Sequence, residues 1–322
     1  AMGIVPVYID GDEVTSKPPG AASTASPLPR AVFRQRGGRI LSFEERGAQR
    51  ASSQRSLRLT VFALVTALVV GIGAVANPTP ADAATLKVVI VVGPAGSSTS
   101  NYIYNAKKYA AQARGYGAKV TEIYSPNATW SKVKAAAQGA NLFIYLGHGN
   151  GWPSPYGPFS KYRKDGLGLN ATAGNGHYNT KYWGEYYLDR DIQLAANAVV
   201  ILNRLCYASG NSEWGRANPT KATAIKRVDN YGAGFLRTGA KAVFAEAISS
   251  VGPTIKALFT SGRSVDSIFM SHPSASGARD FRFASVRTPG FKAHMDPPKA
   301  GKYWRSVIGN LNLTAGQFRA GG

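Results

Sequence analysis

The chain has 322 residues, of which 44% are hydrophobic and 17% charged, with 38 Lys and Arg against 17 Asp and Glu and a net charge of +21. Its single cysteine, Cys206, excludes an intramolecular disulfide framework, and no grouping of His, Cys, Asp and Glu has the spacing of a zinc site or an EF-hand. So positive a balance suits anionic polymers and membrane surfaces, while the lack of an RNA-binding or zinc-finger signature argues against nucleic acid as a specific partner.

Residues 1–56 mix Pro, Gly, Ser and Arg with no sustained apolar period, and bury too little to offset the entropy of ordering. They read as a disordered basic arm. Residues 57–83 follow as a secretory signal or membrane anchor: an uncharged run from Leu59 to Ala76 sits behind Arg50, Arg55 and Arg58 and ahead of Ala81-Asp82-Ala83. Cleavage at that small-residue site would release the remainder, and retention would leave the chain anchored through 57–76, close to the roughly 20 residues that span a bilayer. In both cases the rest of the chain is expected outside the cytoplasm, secreted or held at the surface.

The 239 residues from Ala84 hold 29 Lys and Arg against 11 Asp and Glu, and are enough for one sizeable core. Leu86–Val92 is a continuous apolar run suited to a strand buried on both faces. Asn101–Arg114 has helical spacing, Lys119–Tyr124 alternates like a strand, Thr129–Gln138 returns to helix, and Asn141–Leu146 is another buried strand closed by Gly147-His148-Gly149. The stretch from Gly149 to Tyr187 is rich in Gly, Asn, Pro and aromatics and shows no helical period. It is expected to be an ordered insertion leaving from His148, forming a wall or a lid. Ala198–Leu202 is a buried strand that reaches Cys206 four residues later, Ala222–Arg237 a helix interrupted at Gly232 and Gly234, Lys241–Ala245 a strand, and Thr254–Ser261 a short helix.

This alternation predicts an α/β fold: three αβα layers around a mainly parallel sheet, with the long aromatic, Gly-rich insertion after the third strand. The domain is expected over 84–263. Residues 264–322 are expected as a C-terminal extension packing on it, with a hairpin at Phe281–Val286 and Gly290–His294 and with Tyr303–Leu313 closing the fold.

In an open parallel sheet, residues just past the carboxyl ends of the strands gather on one edge, and His148 and Cys206 both sit there. A thiol becomes a useful nucleophile when an imidazole takes its proton and later returns it to the leaving group. Gly149, without a side chain, leaves room for its N–H to approach a substrate carbonyl. Each residue also has a plain structural reading, Cys206 as a small core residue and His148 as a turn residue.

The runs Asn141–Gly149 (NLFIYLGHG), Ala198–Gly210 (AVVILNRLCYASG) and Phe235–Ala245 (FLRTGAKAVFA) resemble the caspase-like cysteine peptidases, a group that includes caspases, gingipains, separase, clostripain and CHAT-domain proteins. The resemblance implies a caspase-like sheet, with His148 as general base and acid, Cys206 as nucleophile, the N–H groups of Gly149 and Cys206 as oxyanion donors, a peptide or protein substrate, and no cofactor. It does not imply specificity for Asp, since Arg204-Leu205 and Tyr207-Ala208 flank the cysteine where caspases have Gln-Ala and Arg-Gly.

Asp189, Asp191 and Glu213 are candidates to orient His148 or bind substrate, Trp152 and Tyr207 to line the site, and His177 is a second candidate imidazole. Two other readings stand beside the hydrolase. One is a non-catalytic surface module that holds an anionic wall polymer through its basic faces and the aromatic insertion. The other is a sortase-like transpeptidase, a β-barrel enzyme for which Arg216 would serve after the cysteine. No P-loop or dinucleotide fingerprint follows the first strand.

Overall fold

Strands that are apolar at both odd and even positions need cover on both faces, and that requirement organises this molecule. A computed structural model of the chain describes residues 85–321, so the arm over 1–56 and the signal or anchor over 57–83 lie outside the described residues. In chain order the elements are β1 (Lys87–Val92), α1 (Thr99–Gly115), β2 (Lys119–Tyr124), α2 (Trp130–Ala137), β3 (Leu142–Leu146), β4 (Leu167–Asn170), β5 (Thr180–Trp183), α3 (Glu185–Asp191), β6 (Val199–Asn203), α4 (Lys221–Leu236), β7 (Ala242–Glu246), α5 (Gly252–Thr260), α6 (Val265–Met270), β8 (Phe281–Ala284), β9 (Lys292–Met295), β10 (Arg305–Gly309) and α7 (Ala315–Arg319).

Eight strands form one sheet in the order β2-β1-β3-β6-β7-β10-β9-β8. The first five are parallel and the last three antiparallel. Alternate residues feed two cores. Val89, Val91, Phe143, Val200 and Val243 face α2, α3 and α4 through Val133, Leu188, Val228 and Phe235. Val88, Ile90, Leu142, Ile144, Ile201 and Phe244 face α1, α5, α6 and α7 through Tyr109, Ile255, Phe269 and Phe318. This is the αβα architecture expected from the alternating pattern, and it is not the β-barrel that the sortase alternative requires. Among the described residues no helix is long and apolar enough to cross a membrane.

Two expectations are corrected. The helix over Ala222–Arg237 is not interrupted: α4 runs unbroken through Gly232 and Gly234. Those glycines serve close packing instead. A Cβ at Gly232 would collide with the Ile308 Cγ2 methyl, and one at Gly234 would lie 2.9 Å from the Asp165 carbonyl oxygen. The segment from 264 onward does more than pack on the domain, because β8, β9 and β10 extend the central sheet beyond β7.

The insertion contains the β4–β5 hairpin and then α3, neither of which its polar, Gly-rich sequence announces. Several of its aromatics meet one another or α2: Trp183 stacks on Trp130 of α2 with ring centres 5.1 Å apart and meets Tyr187 at 4.8 Å, and Tyr162 meets Tyr186 at 4.9 Å. None of the insertion's rings is fully buried, and Phe159, Tyr162 and Tyr178 remain exposed.

At the root of the insertion Asp165 is fully buried, with one carboxyl oxygen accepting from the Trp152 N–H at 3.0 Å and the other without a partner. Burial, with the Glu185 carboxylate nearby, holds its pKa well above the usual carboxylate range. Such a group binds its proton more tightly folded than unfolded, so stability falls as pH rises from about 4 toward the folded pKa, by about 1.4 kcal/mol for each unit of elevation. Asp165→Asn keeps the acceptor for Trp152 and removes this penalty. Thermal melts at a series of pH values are expected to place the variant above wild type by a few degrees at pH 7, with the gap closing toward about pH 4. A wild-type advantage at pH 7 would contradict this account.

Candidate active site

Strands β3 and β6 are neighbours in parallel register, Leu146 opposite Asn203, so the segments that follow them leave the sheet side by side at its carboxyl edge. The first is Gly147-His148-Gly149 and the second Arg204-Leu205-Cys206-Tyr207. Arg204 and Tyr207 both have φ of +70°, a left-handed conformation that costs a residue with a Cβ about 1–2 kcal/mol. The Arg204 N–H donates to the Glu246 carbonyl at 2.9 Å, and the Tyr207 ring is buried, so the surrounding fold holds both residues there. Cys206 is thus bracketed by backbone strain, which collects where a fold positions a reacting group.

Gly149 lies directly against Cys206. A Cβ built on Gly149 would overlap the Cys206 carbonyl oxygen and stand 3.0 Å from its backbone carbon and nitrogen, so no larger residue fits. The Cys206 carbonyl accepts from the Ala208 N–H at 2.9 Å, whereas neither the Gly149 N–H nor the Cys206 N–H has an acceptor among the described residues. Tyr145 fixes the other side of the loop. Its hydroxyl accepts from the Gly168 N–H at 3.0 Å and offers its hydrogen to the carbonyls of Gly168 at 2.8 Å and His148 at 3.1 Å. The β4 strand therefore backs His148 directly, making the insertion a wall at this point.

His148 and Cys206 are each half-buried, and no hydrogen bond joins them. Glu213 faces both. Its carboxylate accepts from the Tyr156 hydroxyl at 2.6 Å and the Tyr207 hydroxyl at 2.7 Å, tying the insertion to the segment after the cysteine. Burial pushes the Cys206 thiol up to about 12, with the Glu213 charge adding to the rise and Arg227 opposing it. Burial lowers the His148 imidazole, and Glu213 opposes that shift. Around pH 7 the two groups are therefore a neutral thiol and a neutral imidazole rather than an ion pair.

The remaining candidates divide. Tyr207 and Glu213 belong to the site as described. Trp152 stands four residues past His148, its carbonyl accepting from Asn230 at 2.8 Å and its ring tilted against Phe159. Asp189 is exposed on α3 and is not brought to the pair, and Asp191 is occupied by Arg190 at 2.6 Å and by the Trp130 indole at 3.2 Å. His177 bonds Ser125 beyond β2 at 2.9 Å, His272 bonds the Ser250 carbonyl at 2.9 Å, and buried His294 lies between Asp266 at 2.7 Å and Asp280 at 2.9 Å. Arg216 is exposed, 4.0 Å from Glu213. Among the described residues no group of three or more His, Cys, Asp or Glu could hold a metal ion.

Sequence reasoning missed Tyr145, Arg204 and Arg227. The one available signal for Tyr145 is a lone hydroxyl in an otherwise apolar strand. Arg227 donates to the carbonyls of Pro153 and Asn211, each at 2.7 Å, and lies over the Tyr207 ring, contacts with no local pattern.

No family model matches this sequence, and no curated protein matches it. Among solved structures it is similar to the Arg-specific cysteine proteinase gingipain R, at 16% identity and a TM-score of 0.30 over 71% of this chain and 61% of that one. It is also similar to iotapain, a secreted cysteine protease of Bacteroides thetaiotaomicron, at 10% identity and a TM-score of 0.32 over 66% of each chain. The chain thus spans about three fifths of the first structure and about two thirds of the second.

Proposed function

We propose that the protein is an exported cysteine hydrolase that cleaves peptide bonds with Cys206 as nucleophile and His148 as general base and acid. The observation that carries this reading is the seating of Gly149 on the Cys206 backbone, with both N–H groups free of protein acceptors at the carboxyl edge of the sheet. In this reading the Sγ proton passes to His148 as sulfur bonds to the carbonyl carbon, and the oxygen takes the negative charge between the two N–H groups. Collapse breaks the C–N bond, His148 returns the proton to the leaving amine, and water hydrolyses the thioester by the same proton relay. Glu213 stabilises the imidazolium formed on the way and fixes Tyr207 beside the nucleophile. Trp152 contributes to the wall rather than to the proton relay. Export belongs to this reading through the segment 57–83.

The first test is digestion of fluorescein-labelled casein and a mixed peptide library by the full chain. Cys206→Ala and His148→Ala are each expected to lower the rate by at least about a hundredfold. Hydrolysis that survives Cys206→Ala would refute the reading.

The electrostatics add a second expectation. In the free protein, labelling of Cys206 by iodoacetamide should be slow at pH 7 and climb about tenfold per pH unit to pH 10 without a plateau. Glu213→Gln removes a charge that raises the thiol pKa, so the whole curve should move to lower pH. A wild-type plateau below pH 8 would mean that the thiol is already ionised in the free protein.

A further inference from the structure

A row of rings crosses the insertion and ends on α2. Tyr162 meets Tyr186 with ring centres 4.9 Å apart, Tyr186 meets Tyr187 at 5.4 Å, Tyr187 meets Trp183 at 4.8 Å, and Trp183 stacks on Trp130 at 5.1 Å. Cations lie over this row. The Lys161 ammonium stands 5.0 Å from the centre of Tyr186 and 5.3 Å from that of Tyr162, and the Lys181 ammonium 4.6 Å from that of Trp183. The Arg190 guanidinium is 5.1 Å from the centre of Tyr186 and 5.3 Å from that of Tyr187. All three lie within the roughly 6 Å over which a ring face attracts a cation, so the rings hold these charges in place.

The charges outnumber the acids beside them. Arg190 is forked to Asp191 at 2.6 and 2.8 Å, but Lys161 and Lys181 are exposed and, among the described residues, form no ion pair. Lys134, one turn beyond Trp130 on α2, is exposed and without an ion pair as well. The other acid on α3's outer surface is Asp189, so three unpaired ammonium groups stand against one free carboxylate. A surface of this sign attracts polyanions, with a steep dependence on salt.

The geometry of the row selects among polyanions. Trp183, Tyr186 and Tyr187 are half-buried and packed edge to face, so they do not protrude as residues that enter a bilayer do. Cations already lie over the rings, whose open faces a stacked nucleic-acid base would need. The unpaired cations are ammonium groups, compact point charges suited to phosphate, whereas the one planar fork is filled by the Asp191 carboxylate. We propose that this row is a docking surface for a phosphodiester polymer with a polyol backbone, which lies along Lys161, Lys181 and Lys134. This goes beyond the hydrolase reading and does not depend on it.

The test is binding of the full chain to fluorescein-labelled poly(glycerol phosphate), followed by anisotropy over a series of salt concentrations. Lys161→Gln combined with Lys181→Gln is expected to weaken binding about tenfold at low salt and to reduce the slope of log K against log salt by about 1 to 2, with Tm unchanged. The control is Lys256→Gln combined with Lys292→Gln, exposed positions on α5 and β9 that change the net charge equally. It is expected to weaken binding by less than about twofold. Tyr186→Leu keeps every charge and removes the ring beneath Lys161 and Arg190, and is expected to weaken binding about threefold.

Equal losses in the two lysine pairs, or no binding by wild type at low salt, would overturn the docking surface and leave only the general field of a basic chain. A thymidine oligonucleotide, poly(glutamate) or phosphatidylglycerol–phosphatidylcholine vesicles bound as tightly, and lost in the same variants, would overturn the choice of polymer. The readout is binding rather than turnover, so failure of the hydrolase reading leaves this result intact.

Discussion

Gly149→Ala is expected to lower casein hydrolysis by at least about a hundredfold, comparable with loss of the thiol itself. The added methyl would have to occupy the space of the Cys206 carbonyl oxygen, with the backbone carbon and nitrogen of the same residue 3.0 Å away. All three of these atoms are backbone, so no side-chain rotation relieves the clash and the two loops must part. Parting them moves the Gly149 N–H relative to the Cys206 N–H, and a misplacement of about 1 Å in a reacting geometry is worth roughly two orders of magnitude. The control is Gly262→Ala, whose new Cβ would meet nothing within 4 Å. Hydrolysis by the full chain and the iodoacetamide rate at Cys206, read together with Tm, check the expectation. Near-normal hydrolysis by Gly149→Ala would show that the two loops do not act as one site.

Arg305→Ala is expected to have the largest effect on stability, about 3–5 kcal/mol in denaturant unfolding. Arg305 is almost wholly buried on β10, donating to Glu246 at 2.9 and 3.0 Å, to Asp296 at 2.9 Å and to the Phe269 carbonyl at 2.9 Å. Asp296 also accepts from the N–H groups of Ser276 and Gly277, so the network ties β7, β10 and the segment after α6 to one guanidinium. Truncation leaves two buried carboxylates facing each other without a cation, against a total stability of about 5–15 kcal/mol for an ordinary domain. Because the loss is electrostatic, Arg305→Met should be nearly as damaging as Arg305→Ala, and adding Glu246→Gln should recover part of it. A Met variant close to wild type would show that Arg305 contributes mainly volume. The same network anchors the active-site edge, since Glu246 closes β7 and its carbonyl holds Arg204.

The two tests separate the parts of the molecule. Gly149 concerns the meeting of two loops and Arg305 the frame behind them. A hydrolase that loses activity in the first while remaining folded, and loses its fold in the second, behaves as this edge requires.

Much of the frame is legible in the amino-acid order. Apolar runs of strand length, Gly and Pro at their ends and helical spacing between them locate β1, α1, β2, α2, β3, β6, β7 and α5, because strand and helix periods are local properties that survive without knowledge of the neighbours. The same reasoning places His148 and Cys206 on one edge, since parallel strands all end there. It fails where the deciding contact is distant in sequence. Gly232 reads as a helix breaker, yet it is an interior helix residue because Ile308, on β10, needs the space. Asp189 and Glu213 look alike as acids near a candidate thiol, but only Glu213 meets Tyr156 and Tyr207.

By itself, then, the sequence determined the αβα class, the five parallel strands and the candidate residues, because burial pattern and chain direction are written locally. Tertiary structure alone decided that Gly149 sits on the Cys206 backbone, that burial raises the Cys206 thiol and lowers the His148 imidazole, and that Glu213 meets Tyr156 and Tyr207. Each of those depends on which groups arrive from elsewhere in the chain and on how much water they displace, and no local pattern records either.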